Sequence, residues 1–81
     1  MAELTRLLPP DAEQLELAKE VNGKLGGDSK VTFYRKLEAD GQTAYGVVYQ
    51  YGTARRVYEQ PVPHHDVDEI VQDVERWIRR L

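Results

Sequence analysis

Two short glycine turns, Asp40-Gly41 and Gly52-Thr53, bracket a run rich in tyrosine and valine and constrain this chain more than any other feature. Asp-Gly suits a two-residue type I′ hairpin loop, and a leading glycine suits type II′. Read this way, they join three consecutive antiparallel strands near residues 30–39, 42–51 and 54–62. The last of these is expected to fray at Pro61 and Pro63, because proline tolerates only edge or terminal strand positions.

Loop lengths then set the register. With Asp40 and Gly41 as the first loop, Ala39 faces Gln42, Leu37 faces Ala44 and Phe33 faces Val48. With Gly52 and Thr53 as the second, Tyr51 faces Ala54 and Tyr49 faces Arg56. Side chains alternate along a strand, so two surfaces emerge. One carries Val31, Phe33, Leu37, Ala44, Val48 and Val57. The other carries all five tyrosines, Tyr34, Tyr45, Tyr49, Tyr51 and Tyr58, together with Thr32, Lys36, Val47 and Arg56. A slip of one residue in either hairpin exchanges these faces.

The C-terminal segment is an amphipathic helix. Val67, Ile70, Val71, Val74, Trp77, Ile78 and Leu81 recur at spacings of three and four, with Asp66, Glu69, Asp73, Arg76 and Arg80 on the opposite side. Asp66 is placed to cap it, and its charges run from acid to base, matching the helix dipole. A first helix, roughly residues 11–24, opens at Pro9-Pro10-Asp11 and carries Leu15, Ala18, Val21 and Leu25 as its stripe. Residues 1–10 read as an N-terminal arm. Leu4, Leu7 and Leu8 have helical spacing, but the segment is too short for an independent helix.

The expected architecture is α+β, a single 1–81 domain in which two helices cover the aliphatic face of a three-stranded meander in the order α-β-β-β-α. The same order occurs in double-stranded RNA-binding domains, and the likeness ends at topology. Those domains carry a lysine-rich start to the last helix, whereas the equivalent stretch here is His64-His65-Asp66-Val67-Asp68-Glu69, which phosphate avoids.

Composition narrows the function classes. A net charge of −3 argues against a generic nucleic-acid binder. The absence of cysteine excludes disulfide scaffolds and cysteine-ligated zinc, and no apolar run suggests a signal peptide or membrane span. The expectation is a cytoplasmic location with no membrane partner. Catalysis has little support, because the single serine, Ser29, lies in a glycine loop without a nucleophile motif and no carboxylate pair is singled out by spacing. Gly26-Gly27-Asp28-Ser29 follows a helix and precedes a strand, the reverse of a phosphate loop. His64 and His65 with Asp66, Asp68 and Glu69 match no metal-binding pattern and are accounted for by a loop and an acidic helix start. No cofactor is expected.

Function is therefore sought on the tyrosine face, with Tyr34, Lys36, Tyr45, Val47, Tyr49, Tyr51, Arg56 and Tyr58 as its binding residues. Tyrosine combines apolar area with a polar tip and suits recognition. The expectation is a small non-enzymatic binding protein, an adaptor, regulator or inhibitor of a larger protein assembly, whose partner is a protein or a second copy packed sheet to sheet as a homodimer. The alternative is a domain for single-stranded nucleic acid, whose bases would stack on the tyrosines while Lys36 and Arg56 meet phosphates. Two plainer readings compete: ordinary solvated strand tyrosines, or a second small core beneath the arm or first helix.

Overall fold

The computed structural model describes residues 6–81, in which six elements follow one another: β1 (Arg6–Leu8), α1 (Ala12–Leu25), β2 (Ser29–Leu37), β3 (Thr43–Tyr51), β4 (Ala54–Gln60) and α2 (Val67–Arg79). The fold class is α+β, as expected. The sheet, however, has four antiparallel strands in the order β1-β2-β3-β4 rather than three. The added strand comes from the segment read as an arm: Arg6, Leu7 and Leu8 pair with Leu37, Lys36 and Arg35. Too short to hold a helix, this segment satisfies its backbone on the free edge of β2 instead. The Arg35 Nε–H also donates to the Pro9 carbonyl at 3.0 Å, tying down the chain that follows. Leu4 lies outside the described residues.

The first hairpin closes one residue differently from the expectation, and this moves half the sheet. A type I′ loop needs positive φ at both central residues. Gly41 has φ +88°, but among the described residues no non-glycine has a positive φ, so Asp40 does not fit. The loop is instead the three residues Ala39-Asp40-Gly41. The Gly41 N–H donates to the Glu38 carbonyl at 3.0 Å, and the Glu38 N–H donates to the Gln42 carbonyl at 2.8 Å. Asp40 adds an acceptor for the Gln42 N–H at 2.9 Å. This is a turn followed by a left-handed glycine, the usual three-residue hairpin. Phe33 now faces Val47, Tyr34 faces Gly46 and Lys36 faces Ala44. The second hairpin has the expected register, with Tyr51 opposite Ala54, Tyr49 opposite Arg56 and Gly52 at φ +61°.

The slip puts Val31 and Phe33 on the same face as Val47, Tyr49 and Tyr58, and both helices cover that face. The core is Leu17 and Val21 from α1, Val31, Phe33, Val47 and Tyr49 from the sheet, and Ile70, Val74 and Trp77 from α2. Val47 is fully buried and Tyr49 only 3 % exposed. Val48 and Val57, expected beneath the helices, face the other way.

Helix α1 begins at the capping box Asp11/Gln14, in which the Gln14 N–H donates to Asp11 Oδ1 at 2.8 Å and the Gln14 side chain accepts from the Asp11 N–H at 3.2 Å. Its inward stripe is Gln14, Leu17 and Val21, while Leu15, expected to face inward, is 59 % exposed. Next to Val21, the Asn22 amide takes the place of a neighbouring strand. Its Nδ2 donates to the Val31 carbonyl at 2.9 Å and its Oδ1 accepts from the Val31 N–H at 2.7 Å. This anchors the helix to the part of the β2 edge that β1 does not reach. Helix α2 starts at Asp66, which accepts from the Glu69 N–H at 3.1 Å; its buried residues, Ile70, Val74 and Trp77, lie on the stripe the periodicity predicts, whereas Leu81, expected on the same stripe, lies past the helix end and is 62 % exposed.

Candidate binding surface

Because both helices lie on one side, the opposite face of the sheet has no layer over it among the described residues. Its side chains stand in rows that cross the strands. Lys30, Gln50 and Arg55 form one row; Thr32, Val48 and Val57 the next; Tyr34, Gly46 and Glu59 the third; Leu7, Lys36 and Ala44 the fourth.

The third row is closed upon itself. Gly46 has no side chain, and the Tyr34 ring fills the space, so a Cβ built there would lie 2.1 Å from the ring's Cζ. The Tyr34 hydroxyl donates to Glu59 Oε2 at 2.5 Å, and Lys36 Nζ lies 2.9 Å from Glu59 Oε1 and 3.2 Å from Glu38. Burial, reinforced by the carboxylate acceptor, pushes the Tyr34 phenol up to about 12. The Tyr34 and Lys36 donors hold the Glu59 carboxyl below its ordinary value, and Glu59 and Glu38 hold the Lys36 ammonium above its own. These polar groups are occupied with one another. Lys30 and Arg55 differ: both are exposed, and neither makes an ion pair among the described residues.

The eight residues expected to form one binding face are divided between two. Tyr34 and Lys36 stand on the open face. Tyr45, Val47, Tyr49, Tyr51, Arg56 and Tyr58 stand on the helix side, and Val47 and Tyr49 are interior. The shared tyrosine face is thus corrected, and the cause is the extra loop residue Ala39, which reverses the parity of β2 against β3. Val48 and Val57 escape notice because the two-residue register assigns them to the core, whereas Thr32 is expected on the face that carries Tyr34 and Lys36 and stands there.

On the helix side Tyr49 and Tyr58 build packing and a polar seam, while Tyr51 is exposed. Tyr49 meets Tyr58 edge-on, with ring centroids 5.3 Å apart, and leans on Trp77 at 6.0 Å. Its hydroxyl donates to Asp73 Oδ2 at 2.9 Å, and Asp73 Oδ1 lies 3.8 Å from Arg76. Burial, then the Asp73 acceptor, raises the Tyr49 phenol far above its ordinary value, so it keeps its proton and acts as a donor. The Arg56 guanidinium lies 4.5 Å from the Tyr58 ring centroid, a cation–π contact at the rim. Between the end of β4 and α2 is a cleft of about 390 Å³ lined by Tyr49, Tyr58, His64, Glu69, Asp73 and Arg76, among others.

The two histidines part company. His64 packs against Phe33 at 5.6 Å, and its buried Nε2 has no hydrogen-bond partner. Burial holds this imidazole below its ordinary value, with the neighbouring His65 adding to the effect and the Tyr45 backbone opposing it. His65 is exposed, with Nδ1 3.3 Å from the Pro63 carbonyl oxygen. Among the described residues no helix is long and apolar enough to cross a membrane. Comparison with protein-family models, with curated proteins and with solved structures found no match in any of the three.

Proposed function

We propose that this chain is a non-enzymatic protein-binding module, an adaptor, regulator or inhibitor, that works through the open face of its sheet. The observation carrying this reading is the row Thr32, Val48 and Val57. On an antiparallel sheet face with no layer over it, Val57 is 52 % exposed and Thr32 is exposed, flanking Val48, which is only 9 % exposed, beside the cations Lys30 and Arg55, which make no ion pair among the described residues. An apolar strip edged by charge is the usual make-up of a recognition surface, and it fits a partner presenting an apolar ridge with acidic residues on one side. The reading for single-stranded nucleic acid has less support, because stacking requires a run of exposed rings on one face, and here Tyr49 and Tyr58 pack beneath the helices, Tyr34 stands on the opposite face, and Tyr51 is exposed at the end of β3.

The test uses variants on β2, away from the hairpin and the core. Thr32→Arg and Lys30→Glu, compared with wild type as bait in a lysate of the native host, are expected to lose the captured partner. Arg76→Ala, on the helix side, is expected to retain it. Binding that ignores the β2 variants and depends on Arg76 would place recognition at the α2 cleft and overturn this reading.

A further inference from the structure

The two edges of the sheet are treated differently by the chain. At the β2 side, β1 covers residues 35–37 and Asn22 takes both backbone groups of Val31. At the β4 side, no described residue outside β3 donates to or accepts from the strand backbone. Which groups face outward follows from alternation. The pair flanking a two-residue loop exchanges both hydrogen bonds, so Tyr51 and Ala54 do so, then Tyr49 with Arg56 and Val47 with Tyr58. Asn22 supplies an independent check: Val31, opposite Tyr49, turns both its groups away from β3, which leaves those of Tyr49 for Arg56. The N–H and C=O of Arg55, Val57 and Glu59 therefore point away from the sheet.

We propose that a second copy of this chain pairs at this edge, β4 against β4 antiparallel, about a two-fold axis through Val57, continuing one sheet across both protomers. The sequence of β4 favours this register over the others. With Val57 opposite its own mate, Arg55 faces the partner's Glu59, Arg56 faces the partner's Tyr58 and Ala54 faces the partner's Gln60, so the whole strand overlaps. Shifting the axis to Arg55, Arg56 or Glu59 sets that charge against itself, and shifting it to Tyr58 shortens the overlap and leaves Arg55 without Glu59. In the Val57 register each outward residue exchanges both backbone hydrogen bonds with its mate. The cross-strand pairs are opposite charges on the open face and cation with ring on the helix face, the combinations that stabilise a sheet. Tyr34 and Lys36 already hold the Glu59 carboxylate on the open face at this edge, where Arg55 of the mate arrives. Charge on an edge strand ordinarily keeps strands apart. Here the charges are arranged to complement themselves.

Sedimentation of the whole chain over a concentration series is expected to show a reversible dimer. Val57→Pro removes an outward N–H that β3 does not use, and is expected to abolish the dimer while the urea melt stays close to that of wild type. Arg55→Glu is expected to weaken it about tenfold or more by setting like charges opposite each other. Mixing Arg55→Glu with Glu59→Arg is expected to give a heterodimer tighter than either homodimer. Register is read directly in this cysteine-free chain. Val57→Cys is expected to cross-link on oxidation, whereas Arg55→Cys is not, because its mate lies four residues away, about 13 Å along the strand and too far for a disulfide. Thr32→Arg and Lys30→Glu, which test the open face, are expected to leave the dimer intact, so the two readings fail separately. A wild-type chain that remains monomeric would overturn the pairing and leave the edge to a foreign strand or to water. A dimer that survives both Val57→Pro and Arg55→Glu, or Arg55→Cys cross-linking as readily as Val57→Cys, would overturn it in favour of another surface.

Discussion

The Tyr34 hydroxyl reaches across an entire strand to the Glu59 carboxylate, donating a 2.5 Å hydrogen bond over the bare backbone of Gly46. The contact exists because residue 46 has no side chain, and it links β2 to β4, which are not neighbours in the sheet. Gly46→Ala forces the ring aside, since its Cβ would sit 2.1 Å from Tyr34 Cζ and as close as 2.3 Å to Cε1. The expected cost is about 1 to 3 kcal/mol, the range for overpacking. In a Tyr34→Ala background the same change should cost much less, and a double-mutant cycle measures the difference. Equal losses in both backgrounds would mean that Gly46 is needed for a reason other than the ring.

Asn22 predicts a different sensitivity. Asn22→Ala leaves the Val31 N–H and C=O unpaired at a site where Val31 itself is only 1 % exposed, and is expected to destabilise by about 1 to 3 kcal/mol. Asn22→Asp keeps the acceptor for the N–H but turns an oxygen toward the Val31 carbonyl, so it should not restore stability. Urea melts and exchange of the Val31 amide report both. If the Val31 amide is as protected in Asn22→Ala as in wild type, water or another group has replaced the side chain.

Tyr49 separates packing from polarity. Tyr49→Ser removes a ring that is only 3 % exposed and in contact with Tyr58 and Trp77, and is expected to cost about 3 to 5 kcal/mol, as for other large aromatic truncations. Tyr49→Phe keeps the ring and loses only the bond to Asp73, a difference of about 1 kcal/mol. Thermal or urea melts giving similar losses for both would place the energy in the hydroxyl and not in the ring.

The contrast between the two hairpins explains what the sequence makes legible. Gly52-Thr53 has glycine first, and one loop length fits it. Asp40-Gly41 fits either a two-residue loop or the last two positions of a three-residue loop, and side-chain patterning does not arbitrate because β2 is apolar or amphipathic in either parity. Val31 and Phe33 look buried both ways; Val47, Tyr49 and Tyr58 exchange sides with Val48 and Val57, and valine and tyrosine are acceptable both in a core and on a sheet surface. Helix α2 is legible because its apolar positions all lie on one stripe. Helix α1 is less so, since Gln14 turns inward to complete a capping box and Leu15 turns out. The pairing of β1 with β2 and of Asn22 with Val31 depends on which edge of the sheet is left open, a tertiary fact with no local signal.

His64 gives the fold a pH dependence whose sign is fixed. Its imidazole is held below 6.5 chiefly by burial, so the unfolded chain takes up a proton first as pH falls. Between 6.5 and the lower folded value the unfolded state binds more protons, and stability therefore declines on acidification; above 6.5 both states are neutral and the term vanishes. Glu59 has the same sign in a separate window. Its folded carboxyl lies below 4.5, and the stability it contributes is present above that value and lost as pH falls through the folded one. The exposed carboxylates around His64, Glu13 and Glu16 from α1 and Glu69 from α2, line the neighbouring clefts and do not reverse the shift. His64→Leu keeps an apolar partner for Phe33 and removes the buried Nε2 that has no hydrogen bond, together with the interaction with the Tyr45 backbone, so stability at about pH 8 is expected to change little. The variant's melts should be flat across the upper window and still fall in the lower one, where Glu59→Gln removes part of the loss. An upper-window slope that persists in His64→Leu would assign the titration to another group.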